Sequence, residues 1–327
     1  MTCPICHQDK PILIKKDYTG YVKNSFFDLF KCEKCNSHFM DMSKINSELY
    51  NEIYGKQDVA GYERYFEYAN NVKKQSNPLK YMSNQGEMYY PVYQFLKDRE
   101  NLDVLEIGCG YGYTAYAVSQ AGHSVTALDL SDDAIEFAIK NLGDFYFQSS
   151  IEDFKTEQKY DLIYSTEVIE HVADPVEFVT KLKKFLKPGG TLLLTTPNKN
   201  YNDSVLKDVI WVSDLPPVHT IWLTEKGAEE IAKLNDMDIK LFDYGSYAAP
   251  KENAYFEYKA LKYEPEPISR IGEDKEAIQS YPKNNKLKYY VRQLFNINPL
   301  RKLSAIYVNS VLGYKHHRTM AFELTLK

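Results

Sequence analysis

A chain of 327 residues with 44% hydrophobic side chains can bury a sizeable core, which excludes global disorder. Forty Lys and Arg against 45 Asp and Glu leave a net charge of −5, which argues against a polycation built for nucleic acid. The average hides a polarity: residues 251–327 carry fourteen basic and eight acidic side chains, whereas residues 1–250 carry 26 and 37. No apolar run approaches the roughly 18–20 residues that span a bilayer, so no transmembrane segment is expected. The first residues, Met1-Thr2-Cys3-Pro4, offer neither a basic stretch with an apolar core nor a cleavage site. Five cysteines, four of them in two tight pairs, suit a reducing compartment better than a disulfide framework. The expectation is a soluble, cytoplasmic protein.

The chain opens with Cys3-Pro-Ile-Cys6 and, after a 25-residue gap, Cys32-Glu-Lys-Cys35. Each pair can place two thiolates on one turn, and two turns supply a tetrahedral sulfur site that suits Zn²⁺. Residues 1–45 are too few to be held by apolar burial alone, so the metal would supply folding energy. His7 and His38 stand beside the pairs, as alternative ligands or as ordinary surface residues. Seven lysines against six acids in residues 1–50 give no nucleic-acid footprint. Residues 46–100 form a connector dense in tyrosine: Tyr50, Tyr54, Tyr62, Tyr65, Tyr68, Tyr81, Tyr89, Tyr90 and Tyr93. Packed amphipathic helices explain that density, and a lid over a ligand explains it too.

From Asp103 short apolar runs alternate with amphipathic segments, the pattern of an open parallel α/β sheet. Strands are expected at 103–107, 124–129, 145–148, 160–165 and 191–196, and helices at 113–121, 132–141, 175–186 and 225–236. Ser131, the Asp174-Pro175-x-Glu177 box and Thr224 mark helix starts, while Gly143 and Gly189-Gly190 mark stops. After the first strand comes Glu106-Ile-Gly108-Cys-Gly110-Tyr-Gly112, glycines that let a ligand approach the backbone at a helix N-terminus. Asp129 ends the second strand at the position of a carboxylate that grips ribose hydroxyls. A dinucleotide fold would share these features, but its third small residue falls here at Tyr113, which argues against NAD.

Together with Tyr160-Asp-Leu-Ile163, Leu186-Lys-Pro-Gly-Gly190 and Leu192-Leu-Leu-Thr-Thr-Pro-Asn198, these motifs resemble the class I S-adenosylmethionine-dependent methyltransferases over about residues 85–250. Thr319–Leu326 resembles that fold's antiparallel last strand. The resemblance implies a Rossmann-like α/β core (101–250, closed by 318–327), preceded by a zinc ribbon (1–45) and the connector (46–100). A helical insertion (251–317) would interrupt it before the last strand. It implies that Glu106, Gly108 and Gly110 line the methionine and sugar of the cofactor, and Asp129 its ribose. Leu130, Ile151 and Thr166 belong to the same set. Cys109 is the small residue the loop admits. Ser150 stands where many members place an acid for the adenine amine.

The fourth strand leads into Thr166-Glu167-Val-Ile-Glu170-His171. On a helix, Glu167, Glu170 and His171 would share a face at the sheet's carboxyl edge, where His219 should also emerge. This set is similar to that of ubiquinone-biosynthesis O-methyltransferases and small-RNA 2′-O-methyltransferases, which implies a divalent ion, typically Mg²⁺, holding substrate hydroxyls. In metal-free members the same motif is a structural helix start with one His as general base. Beyond residue 251, Lys286–Phe295 and Leu300–Leu312 read as amphipathic helices, with eight basic residues and no acid between Lys283 and Arg318. They are a solvated face or a cover for an anionic acceptor, with an anionic membrane or nucleic acid as further partners. The expected function is O-methylation of a small molecule: a sugar, polysaccharide precursor or secondary metabolite, including an anionic nucleotide-linked sugar. Similar ribbon-bearing chains occur among sugar C-methyltransferases. The alternatives are C- or N-methylation of a nucleotide-linked sugar, an RNA methyltransferase, and a non-catalytic zinc-ribbon interaction protein.

Overall fold

Apolar strands buried on both faces need helices on both faces, and that requirement shapes the larger of two sheets. The computed structural model describes residues 1–20, 25–44, 63–201, 215–247 and 317–327. Tyr50, Tyr54, Tyr62 and the two amphipathic segments of 286–312 lie outside them, as does the basic insertion up to residue 316. Among the described residues no helix is long and apolar enough to cross a membrane.

The seven-stranded sheet contains β4 (Asp103–Ile107), β5 (Ser124–Asp129), β6 (Tyr146–Gln148), β7 (Tyr160–Thr166) and β8 (Leu186–Pro197). β10 (Met237–Leu241) and β11 (Thr319–Leu326) complete it, in the order β10-β11-β8-β7-β4-β5-β6. Neighbours from β8 to β6 are parallel, and β11 is antiparallel to both β8 and β10. This is the Rossmann-like α/β architecture the sequence implied. Around it pack α4 (Tyr113–Gln120), α5 (Asp132–Leu142), α6 (Pro175–Lys183) and α7 (Glu225–Leu234). The three expected caps are in place: Ser131 accepts from Ala134 N at 3.3 Å, Asp174 from Glu177 N at 2.8 Å and Thr224 from Gly227 N at 3.0 Å.

Two boundaries differ most from expectation. α6 ends at Lys183, and Leu186 already pairs with Tyr160 as the start of β8. Gly189 and Gly190 therefore stop no helix. They lie inside β8, where the register with β7 shifts between Leu186 and Thr191, and a Cβ on Gly190 would sit 2.8 Å from Tyr160 O.

The connector is helical where described: α1 (Glu63–Val72), α2 (Pro78–Ser83) and α3 (Tyr90–Leu96). Three of its tyrosines pack against α4, with Tyr65 stacked on Tyr113 at 6.3 Å and Tyr68 and Tyr89 edge-on to the same ring. Tyr89 and Tyr113 share a hydroxyl hydrogen bond of 2.9 Å. The bulky side chain that argued against a dinucleotide pyrophosphate thus anchors the connector.

The N-terminal module forms a second sheet from β1 (Ile12–Thr19), β2 (Phe26–Lys31) and β3 (His38–Met40). Its fourth strand, β9 (Ile221–Trp222), comes from the core, so the module is not a separate layer. Ile5, Phe39 and the four paired cysteines share one apolar cluster with Ile221, Leu223, Ala228 and Ile231. His38, expected at the surface, is buried in β3, while His7 is exposed.

Candidate active site

The glycine loop after β4 is built by conformations only glycine adopts cheaply: φ is +75° at Gly108, +50° at Gly110 and +78° at Gly112. Gly108 N and Cys109 N both donate to Leu128 O, pinning the loop to the end of β5. The Asp129 carboxylate accepts from Gly110 N at 2.7 Å and from Ser131 N at 2.9 Å, so it ties the loop to the start of α5. Burial raises its pKa against the opposing pull of the Ser131 and Gly110 amides. Glu106, on β4, is buried, and desolvation pushes its carboxyl up to about 8. Cys109 is buried inside the loop and its thiol is pushed up by burial.

Leu130 follows Asp129 with 55% of its surface exposed, an open apolar shelf beside the loop. Ser150 donates to Asp153 at 2.7 Å and accepts from Asp153 N at 3.1 Å. These two bonds close a local turn over Ser150–Asp153. Ile151 is buried beside this turn, and Thr166 ends β7 opposite Thr195.

Beyond β7 the chain does not form the expected helix. Glu167 adopts φ +57°, and only Ile169–His171 form a short 3₁₀ turn. The left-handed residue breaks the i, i+3, i+4 face and turns Glu167 away. Its Oε1 lies 3.4 Å from Thr195 Oγ1, over the end of β8. The structure does bring Glu170, His171 and His219 together, one ligand atom from each lying within 4.8 Å of the others. The two imidazole rings meet edge to face at 4.7 Å. His171 Nδ1 is 2.5 Å from Val218 O, and a carbonyl only accepts, so Nδ1 carries a proton and Nε2 is the acceptor nitrogen of the neutral ring. His219 is buried, and desolvation lowers its pKa to about 3, so its ring is neutral at ordinary pH.

Several contributors were invisible in the sequence. Val168 packs on the glycine loop, and a Cβ on Gly108 would meet its Cγ2 at 2.4 Å. That contact joins the loop to the histidine turn. Thr220 binds the turn from the other side, its amide and hydroxyl donating to Glu170 O at 2.9 and 3.0 Å. Val168 lies inside the Glu167–His171 motif, which assigns it no role, and Thr220 belongs to no motif.

A family model described as a methyltransferase domain matches residues 87–236, which include the whole of this site. Residues 87–236 belong to the class I S-adenosylmethionine-dependent methyltransferases. S-adenosylmethionine is the cofactor of this methyltransferase domain. The ubiquinone biosynthesis O-methyltransferase of Rickettsia akari (strain Hartford) is 32% identical over 151 residues, which cover 43% of this chain and 59% of the relative. The protein of the same name from Actinobacillus pleuropneumoniae serotype 5b is 37% identical over 107 residues, covering 29% and 46%. The chain therefore spans about half the length of the curated relatives it matches. Among solved structures, a plantazolicin methyltransferase in complex with SAH is 18% identical, with a TM-score of 0.44, and the match covers 80% of this chain and 90% of the other.

Proposed function

We propose that the protein methylates a hydroxyl oxygen of a small molecule, with His171 as the base. The observation that carries this reading is the His171–Val218 hydrogen bond, which leaves Nε2 to accept a proton on a turn packed against the cofactor loop. When bound, S-adenosylmethionine supplies an already activated methyl group, so the protein need only orient the acceptor and remove one proton. His171 Nε2 takes the hydroxyl proton as the oxygen becomes nucleophilic. His219, held neutral by burial, restricts the space beside that nitrogen and offers a further polar contact to the acceptor. Glu170 lies with its Oε1 4.0 Å from His171 Nε2.

The names of the relatives support oxygen as the methylated atom and a small molecule as the acceptor, against RNA and against a non-catalytic role. They point to no sugar. The test is incubation of the full chain with methyl-labelled S-adenosylmethionine and a panel of catechols, phenols and nucleotide-linked sugars. A methyl ether on one of them is the expected product, and methylation only at carbon or nitrogen would overturn the reading.

A metal-assisted form of the same reaction rests on the convergence of Glu170, His171 and His219. The donor set fits a divalent ion, since a ligating imidazole commonly gives its other N–H to a backbone carbonyl, as His171 does to Val218. Two imidazoles and one carboxylate suit Zn²⁺, Mn²⁺ or Fe²⁺ better than the Mg²⁺ expected from the resemblance, and Glu167 stands outside the group. With an ion there, the acceptor oxygen would be oriented and acidified. EDTA is then expected to abolish transfer and Mn²⁺ to restore it. Full activity in chelator would leave the metal-free base.

At the N-terminus we propose a structural Zn²⁺ held by Cys3, Cys6, Cys32 and Cys35. All four are buried, with Cys3 Sγ 3.8 Å from Cys35 Sγ and Cys6 Sγ 3.4 Å from Cys32 Sγ. The Cys3–Cys35 pair shares a proton, which lowers Cys35 to about 5 while Cys3 is raised. Four soft donors within reach of one ion suit a closed tetrahedral site.

A further inference from the structure

The strand that completes the N-terminal sheet is also the strand that leaves the histidine site. β3 pairs with β9 through His38↔Trp222 and Phe39↔Ile221, and Met40 N donates to Thr220 O at 3.0 Å. Thr220 in turn holds Glu170 O and donates to Val172 O at 3.1 Å, while Val218, two residues back, holds the His171 ring. On the far side of β9, Thr224 Oγ1 binds Cys35 O at 2.5 Å and lies 3.0 Å from Ser37 Oγ, which accepts from Thr224 N at 3.1 Å. Residues 218–224 are thus clamped between the second cysteine pair and the turn that carries Glu170 and His171. The cofactor loop takes its hydrogen bonds elsewhere, from Leu128 O and Asp129.

We propose that the four-thiolate module is a positioning element of the acceptor site. Metal held by Cys3, Cys6, Cys32 and Cys35 fixes β3, and through β9 and Thr220 it fixes His219 against His171. The inference rests on the reading of these histidines as acceptor-side groups and deepens it. A module that only stabilised the fold would act on the whole sheet, whereas this hydrogen-bond path ends at the histidines.

The test uses the full chain, its Cys35→Ser variant and Thr224→Val, which removes the hydroxyl on the path and leaves every thiol and histidine in place. Metal content, amide exchange over residues 218–224, diethyl pyrocarbonate modification of His219 and S-adenosylhomocysteine affinity are measured on each. Wild type is expected to carry one zinc per chain. Cys35→Ser is expected to lose it, with exchange over 218–224 and His219 modification at least about tenfold faster. Cofactor-product affinity should stay within about twofold. Thr224→Val should keep its zinc and show the same local loosening to about threefold, and Thr224→Ser should restore wild-type rates. Unchanged exchange and modification in the zinc-free protein would overturn the proposal, as would a wild-type chain with intact thiols and no metal. Loosening across the whole sheet with lost S-adenosylhomocysteine binding would also overturn it, showing a general clamp. None of these readouts needs an acceptor, so failure of every acceptor trial counts against the proposed activity alone.

Discussion

Burial has treated the ionisable groups of this site in opposite directions, and each direction has a consequence that can be measured. His219 is held neutral, so its ring enters the reaction uncharged, whereas His171 reaches the surface and has its tautomer set by a backbone carbonyl. His171→Ala is expected to lower kcat by about 10²- to 10⁴-fold with S-adenosylhomocysteine affinity preserved, because a general base contributes that much and touches only the acceptor side. Single-turnover methyl transfer beside calorimetric binding checks both halves. Glu106 gives a pH signature. Its folded pKa, about 8, lies above its unfolded value, so between roughly pH 4.5 and 8 the folded chain holds a proton that the unfolded chain has released. Stability therefore falls as pH rises through that window. Glu106→Gln is expected to match wild type near pH 4 and to melt increasingly higher than wild type toward pH 8.

Among the elements, the glycine loop shows how closely the two halves of the site are joined. Gly108→Ala places a methyl group in a left-handed backbone, which costs about 1–2 kcal/mol, and drives it into Val168. Both S-adenosylhomocysteine binding and turnover are expected to fall, since relief requires the loop or the histidine turn to move. Gly110→Ala, where a Cβ meets nothing within 4 Å, carries only the backbone cost and should lose less of either. The parallel strands, the caps and this loop were legible because each rests on a local rule: buried strands read as apolar runs, caps need an oxygen before a helix, and positive φ needs glycine. The course of the chain after β7 was not legible. Glu167-Val-Ile-Glu170-His171 has helical spacing, but a single left-handed residue that nothing in the pattern marks sends Glu167 to Thr195. β9 was missed for a different reason. Two residues carry no period, and Ile221 and Trp222 become a strand only because β3 lies alongside.

That pairing bears on how the whole molecule is divided. The cysteine spacing reads as a separate ribbon of residues 1–45, yet Ile5 and Phe39 are packed with Ile221, Leu223, Ala228 and Ile231 in one cluster. Lys34 also reaches Glu230 on α7 at 2.7 Å. Removing residues 1–44 would strip cover from Ile221, Trp222 and Leu223, each buried in the intact chain. Burial of a large apolar side chain contributes about 1.5–3 kcal/mol, so exposing three of them removes a large part of a domain's usual margin of about 5–15 kcal/mol. The truncated chain is expected to aggregate or to bind a hydrophobic dye, with its melting transition lowered or lost, as gel filtration and thermal scanning would report. A cysteine variant of the full chain loses the metal and loosens this face but still carries residues 1–44 over it, so it should remain monodisperse under the same conditions. A truncated chain that is monodisperse and binds S-adenosylhomocysteine like wild type would restore the two-domain division and make β9 an incidental edge contact.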